Sequence, residues 1–257
     1  MVSGRTTWAN LLLLAAQRLE NQNKGAQILT YGFWDINAKT NWIINRNNRV
    51  YLSFYTGRDA FIMEDDSENY SDYVKFSYNW QNLTSVLRWN HILSPTMFAN
   101  FSVYNSRFKQ EYLNEFDKKG DEVYNGYNNL NDWSTKGDFD WIPGSRSEFK
   151  FGYQLSSQKF SPEIISYKSD STSFELNKDI FTRNIISEIY IESDVNLAKK
   201  LKGNFGLRGG FMATQNKNYF SLRPRASLRY LISDAVSGKV SYSRMNCLLY
   251  TSPSPRD

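Results

Sequence analysis

No stretch of this 257-residue chain approaches the ~18 consecutive apolar residues of a membrane-spanning helix, and mean hydropathy is −0.58. A helical membrane protein is excluded. A membrane β-barrel is not, because its strands alternate lipid-facing apolar with lumen-facing polar residues and the average stays polar. Proline is scarce at 6, so little interrupts extended structure. One cysteine, Cys247, excludes an internal disulfide framework. One histidine, His91, excludes a His-pair metal site and weakens any Ser–His–acid set, so a hydrolase is not expected. Net charge is only +5, with 31 basic and 26 acidic residues spread along the chain. Nucleic-acid binding calls for a basic stripe that is not seen, so no such partner is expected.

The run Leu11-Leu12-Leu13-Leu14-Ala15-Ala16 invites a signal-peptide reading but lacks a clustered basic flank and a small-x-small cleavage site. A short amphipathic or loop segment fits better.

What the chain has in quantity is aromatic residues, 16% of the total, which suit a pleated, half-buried surface. Period-2 alternation recurs throughout. Trp34, Ile36, Ala38, Thr40, Trp42 and Ile44 interleave with Asp35, Asn37, Lys39 and Asn41. Phe149, Phe151, Tyr153 and Leu155 alternate with Lys150, Gly152, Gln154 and Ser156. Ile189, Ile191, Val195 and Leu197 alternate with Glu188, Glu192, Asp194 and Asn196. Phe220, Leu222, Ala226, Leu228 and Tyr230 alternate with Ser221, Arg223, Arg225, Ser227 and Arg229.

The connections are more informative than the strands. Tight turns fall at Arg46-Asn47-Asn48, Ser94-Pro95-Thr96, Pro143-Gly144-Ser145, Lys199–Lys202 and Ser233-Asp234-Ala235. Longer polar stretches lie between them, at Asp59–Ser71, Glu115–Asn131, Ser161–Thr182 and the shorter Gln215–Asn218. Strict short–long alternation is the asymmetry of a membrane barrel, with short periplasmic turns and long outer loops. Trp34 and Trp42, eight residues apart on one face, lie roughly 26 Å apart, which on a tilted strand approaches the height of a lipid-facing band. The fold expected is all-β: an antiparallel up-and-down meander of about ten strands, part of a transmembrane β-barrel.

Several segments resemble the barrel of TonB-dependent receptors, in the Bacteroidetes-type branch that carries a carboxypeptidase-regulatory-like domain before the plug. They are Phe33–Lys39 with Asn48–Asp59, Leu87–His91 ahead of Ser94-Pro95, and Lys136–Trp141 ahead of Pro143. Glu188–Glu192, Gly206–Arg208 and Phe220–Arg225 continue the likeness in order. Ser3–Trp8 is similar to the segment preceding these hairpins.

The resemblance implies a Gram-negative outer-membrane location and energy-coupled solute import, with lipid, a plug domain, the TonB complex and an unknown solute as partners. It brings no catalytic, cofactor or metal residues. On this reading residues 1–26 precede the barrel, 27–246 form part of it, and 247–257 are a non-family tail. The chain then reads as an internal fragment whose Met1 is not the natural start. A passive porin and a soluble β-sandwich binding module are the alternatives.

The expected lumen-facing set is Asp35, Asn37, Lys39, Glu188, Glu192, Asp194, Arg223, Arg225 and Arg229. The expected lipid-facing or girdle set is Trp34, Ile36, Trp42, Phe149, Phe151, Leu222 and Leu228. Paired carboxylates can hydrolyse glycosides, but alternate positions facing a lumen account for these acids without an enzyme. Glu64, Asp65, Asp66 and Glu68 lack the spacing of a calcium loop and read as a solvated acidic loop. Tyr124 and Tyr127, with Asn125, Asn128 and Asn129, give the second long connection the composition of a carbohydrate-contacting surface.

Overall fold

The structure, a computed structural model, describes residues 1–20, 26–66, 73–116, 122–169, 172–176 and 180–245. The tail at 247–257 lies outside the described residues. In chain order the elements are β1 (Val2–Thr6), α1 (Ala9–Glu20), β2 (Ala26–Asn45), β3 (Asn48–Asp66), β4 (Val74–Ser94), β5 (Met97–Glu115) and β6 (Val123–Gly144). There follow β7 (Ser147–Ser169), β8 (Thr172–Leu176), β9 (Thr182–Ala198), β10 (Leu201–Ala213), β11 (Asn218–Leu231) and β12 (Ser237–Ser243).

All twelve strands belong to one antiparallel sheet in which neighbours in sequence are neighbours in space. The only branch is β8, which pairs the outer end of β7 while β9 pairs the rest. Two strands exceed the ten expected. Val2–Thr6 pairs with β2, Thr6 opposite Trp34, so β1 rather than β2 is the first edge of the described sheet. Residues 172–176 form β8, inside what reads as a loop.

The long connections shrink for the same reason. β3 runs on to Asp66, β5 to Glu115 and β7 to Ser169, while β6 already starts at Val123. In these outer halves both faces carry polar side chains, so the alternation that marks a strand fades although backbone pairing continues. α1 is held by Gln17, whose side-chain amide donates to the Leu29 carbonyl and accepts from its N–H. No described helix is long and apolar enough to cross a membrane.

The short-turn ends step along the sheet. Asn48 pairs His91 and β4 continues to Ser94; Met97 pairs Trp141 and β6 continues to Gly144. Ser147 pairs Val195 and β9 continues to Ala198. Allowing for the bulges at these ends, the stagger is two to three residues per two strands. With ~3.3 Å per residue and ~4.8 Å between strands, that tilts the strands by about 35–45° from the axis about which the turns align, the tilt of outer-membrane barrels.

There is almost no core. Among the described residues the buried hydrophobic ones are Tyr73 and Ala99, and no large side chain is fully buried. The accessible surface is 18270 Å², whereas a compact soluble chain of 30.0 kDa exposes about 11,700 Å². Among the described residues no second sheet covers this one, which is not the arrangement of a β-sandwich.

Candidate functional site

Directly paired residues in an antiparallel sheet point to the same face, so the register sorts side chains without further assumption. One face carries Asp35, Asn37 and Lys39 of β2, then passes through Gly57, Tyr55 and Ser53 of β3 to Asn82, Thr84 and Val86 of β4. Followed across the sheet, that face includes Asp132, Ser134, Lys136 and Asp138, then Gln154 and Ser156. It ends with Glu188, Glu192 and Asp194 of β9 and Arg223, Arg225 and Arg229 of β11. All nine candidates for the polar set therefore share a face. Trp34, Ile36, Trp42, Phe149, Phe151, Leu222 and Leu228 share the other.

The polar face is tied together across strands. Asp35, 7% exposed, accepts from the Arg5 guanidinium, with contacts of 2.7–3.2 Å. Arg223 pairs with Glu188 and Arg225 with Glu192, in each case across the intervening strand β10. Arg208 of β10 lies 3.7 Å from Glu188 and over the Tyr190 ring. Asn204 donates to both Glu192 at 3.0 Å and Asp194 at 2.8 Å. Lys39 and Arg229 remain exposed.

Glycines make these spans possible. Gly206 sits between Glu192 and Arg225 in the register, and Gly210 between Glu188 and Ser221. A Cβ on Gly206 would lie 2.5 Å from Arg225 Nε; one on Gly210 would lie 3.0 Å from Arg223 Nη2. Gly152 does the same between Asp138 and Tyr190, whose hydroxyl donates to Asp138 at 2.5 Å. At these three places side chains bridge two strands because the middle strand has none.

Towards the long-connection end the polar face turns aromatic. Phe61, Phe76, Tyr78 and Trp80 form a run with centroid separations of 5.4–6.4 Å, and Tyr112 lies across Gly126 beside Tyr124. Tyr124, Asn125, Tyr127, Asn128 and Asn129, expected in a long connection, lie within β6, where Tyr124 and Asn128 face one way and Asn125, Tyr127 and Asn129 the other.

His91 sits near the first turn, its Nδ1 2.8 Å from Asn48 Oδ1 and its ring against Trp89. Glu64 and Asp65 fall on opposite faces of β3 and Asp66 at its end; Glu68 lies outside the described residues. Among the described residues no cluster could hold a metal ion.

Tyr190, Asp138, Arg208, Asn204 and the three glycines are the parts of this cross-strand network that alternation missed. The available signal was the glycines themselves, Gly206 and Gly210 four apart on β10 and Gly152 two strands away on β7, each on the polar parity of a strand whose other parity is apolar.

The opposite face is apolar and uncovered near the short turns. Trp89, Phe101, Phe139 and Phe151 form an aromatic belt across four strands, with centroids 5.1–5.5 Å apart. Trp42 is 67% exposed and Leu87, Val103 and Leu155 are each nearly half exposed. Water would not leave so wide an apolar surface bare. A one-layer tilted meander, apolar on one side and polar on the other, is the wall of a membrane-spanning β-barrel.

The family model described as TonB dependent receptor-like, beta-barrel matches residues 12–255. The chain belongs to this family, whose barrels lie in the Gram-negative outer membrane. Among solved structures it is similar to BauA, the ferric preacinetobactin receptor of Acinetobacter baumannii. Identity is 10% and TM-score 0.57, over 83% of this chain and 39% of that one. The ferric yersiniabactin uptake receptor FyuA of Yersinia pestis matches at 10% identity and TM-score 0.44, over 86% of this chain and 44% of that one. The ferric-catecholate import receptor Fiu of E. coli K12 matches at 8% identity and TM-score 0.46, over 86% and 53%. The fold likeness rests on the first. The chain spans about two fifths to half the length of these receptors. No curated protein matches.

Proposed function

We propose that this chain is part of the barrel wall of a TonB-dependent receptor that imports a scarce solute by energy coupling. The single observation that carries the reading is the division of one tilted sheet into an uncovered apolar face and a cross-linked polar face. On this reading Asp35, Asn37, Lys39, Glu188, Glu192, Asp194, Arg223, Arg225 and Arg229 line the lumen and meet a plug domain or solute. Trp34, Ile36, Trp42, Phe149, Phe151, Leu222 and Leu228 meet lipid. The ordered motifs support a parent receptor of the branch with a carboxypeptidase-regulatory-like domain ahead of the plug, with TonB acting through that N-terminal part. A passive porin shares the wall but not the coupling.

The test is genetic. Disrupting this gene and disrupting tonB should abolish growth on one and the same limiting solute. Uptake that survives loss of TonB would favour the porin.

A further inference from the structure

Cations stand on the otherwise apolar face where that face ends. By register Arg58, Arg107, Lys109 and Lys159 occupy the parity of Trp34 and Ile36. Each stands ten to twelve residues from the short-turn end of its strand, at Asn48, Met97 or Ser147. At a tilt near 40° each residue adds about 2.5 Å of height, so these cations lie about 25–30 Å above the turns. An outer-membrane barrel's apolar band is about 25 Å tall. The cations therefore sit at its upper rim, on the side of the long connections. Trp133, 52% exposed, lies on β6 between the strands of Arg107 and Lys159, two residues nearer the short turn than Asn131.

Arg107, Asn131, Lys159 and Arg183 form one paired row containing no carboxylate. Below it on the same face are Val103, Trp133, Leu155 and Ile185, all exposed. Among the described residues neither Arg107 nor Arg183 is ion-paired, and Lys159 rests against the Phe181 ring at 4.6 Å. Lys109 is satisfied by Glu111 at 2.5 Å, and Arg58 donates to Asn79. Arg107 and Lys159 are two strands apart, about 10 Å, within convergence of two long side chains.

We infer that Arg107 and Lys159, beside Trp133, bind the phosphate groups of an anionic glycolipid in the outer leaflet. The inference rests on the membrane-barrel reading. Guanidinium and ammonium groups bind phosphate through charge-assisted hydrogen bonds. The exposed tryptophan fits the junction of acyl chain and headgroup. The occupant belongs to the outer leaflet because the row lies at the long-connection rim.

The receptor containing this chain is extracted from outer membranes in mild detergent and examined by native mass spectrometry. Diphosphoryl lipid A and phosphatidylglycerol are the added probes. The wild type should retain diphosphoryl lipid A in preference to phosphatidylglycerol. R107Q/K159Q should lose that retention on the order of tenfold, since each cation near a membrane surface contributes several-fold. R107K/K159R keeps both charges and should keep retention, as should K200Q in a short turn. Equal retention by wild type and R107Q/K159Q, while both keep heat-modifiable migration, overturns the inference, as does equal retention of both lipids. Absence of the wild-type protein from the outer-membrane fraction would instead defeat the barrel reading itself.

Discussion

Tyr190 reaches across a whole strand to Asp138, donating its hydroxyl at 2.5 Å over the bare backbone of Gly152. A Cβ on Gly152 would lie 2.9 Å from the Tyr190 ring and 2.3 Å from the Gly137 carbonyl oxygen. The second contact is with backbone and cannot yield by a rotamer change. Gly152→Ala should therefore destabilise more than Tyr190→Phe, which removes only the hydrogen bond and costs about 1–2 kcal/mol. Thermal unfolding of the two variants in detergent checks the order, and the reverse order would show that the glycine is incidental.

The two ion pairs that span β10 differ in exposure, and their variants should differ accordingly. Arg223 is 23% exposed and its Nε has no partner, whereas Arg225 is 47% exposed. Glu188→Ala leaves a half-buried guanidinium without its main counter-ion and should cost about 2–3 kcal/mol. Glu192→Ala leaves a guanidinium that water can reach and should cost about 1 kcal/mol or less. Denaturant midpoints of the two variants decide it; equal losses would contradict the accessibility argument.

Alternation made the strand cores and the two faces legible, because a period of two is all that a one-layer wall demands of its sequence. Trp34 to Ile44 could be read almost residue by residue for this reason. Alternation failed where the wall rises beyond the apolar band. From Arg107 to Glu115 and from Val123 to Asn131 polar side chains occur on both faces, so strand reads as loop. It failed also at Val2–Thr6, too short for a pattern, whose pairing depends on partners some thirty residues away. The network was half visible: the charged residues stood out, but the glycines that let them meet act by having no side chain.

Val103 is 46% exposed and six residues above Met97, near mid-height of the apolar band. In a soluble protein Val103→Arg at so exposed a site would change stability by about 0.5 kcal/mol or less. On a lipid-facing wall it should cost about 2–4 kcal/mol. Folding titrations into lipid vesicles measure the difference, and a neutral result would place this face in water.

The described sheet ends at β1 on one side and β12 on the other, and these two strands do not pair. Each leaves unpaired backbone N–H and C=O groups, which hydrocarbon penalises by several kcal/mol apiece. Expressed alone, residues 1–257 should aggregate or melt broadly in detergent. A monomer with heat-modifiable migration and a sharp transition would show that these strands close by themselves.

The central claim is that one face of this sheet meets lipid and the other water. Nitroxide labels placed one at a time along β5, from Met97 to Glu115, in the parent receptor reconstituted into vesicles with Cys247 replaced by serine, test it most directly. Collision with oxygen reports lipid, and collision with a neutral nickel chelate reports water. Oxygen should dominate at Ala99, Phe101, Val103 and Asn105, and nickel at Phe98, Asn100, Ser102 and Tyr104. From Arg107 outward nickel should reach both parities. Nickel reaching both parities all along β5, or the two reagents failing to alternate, would contradict the account.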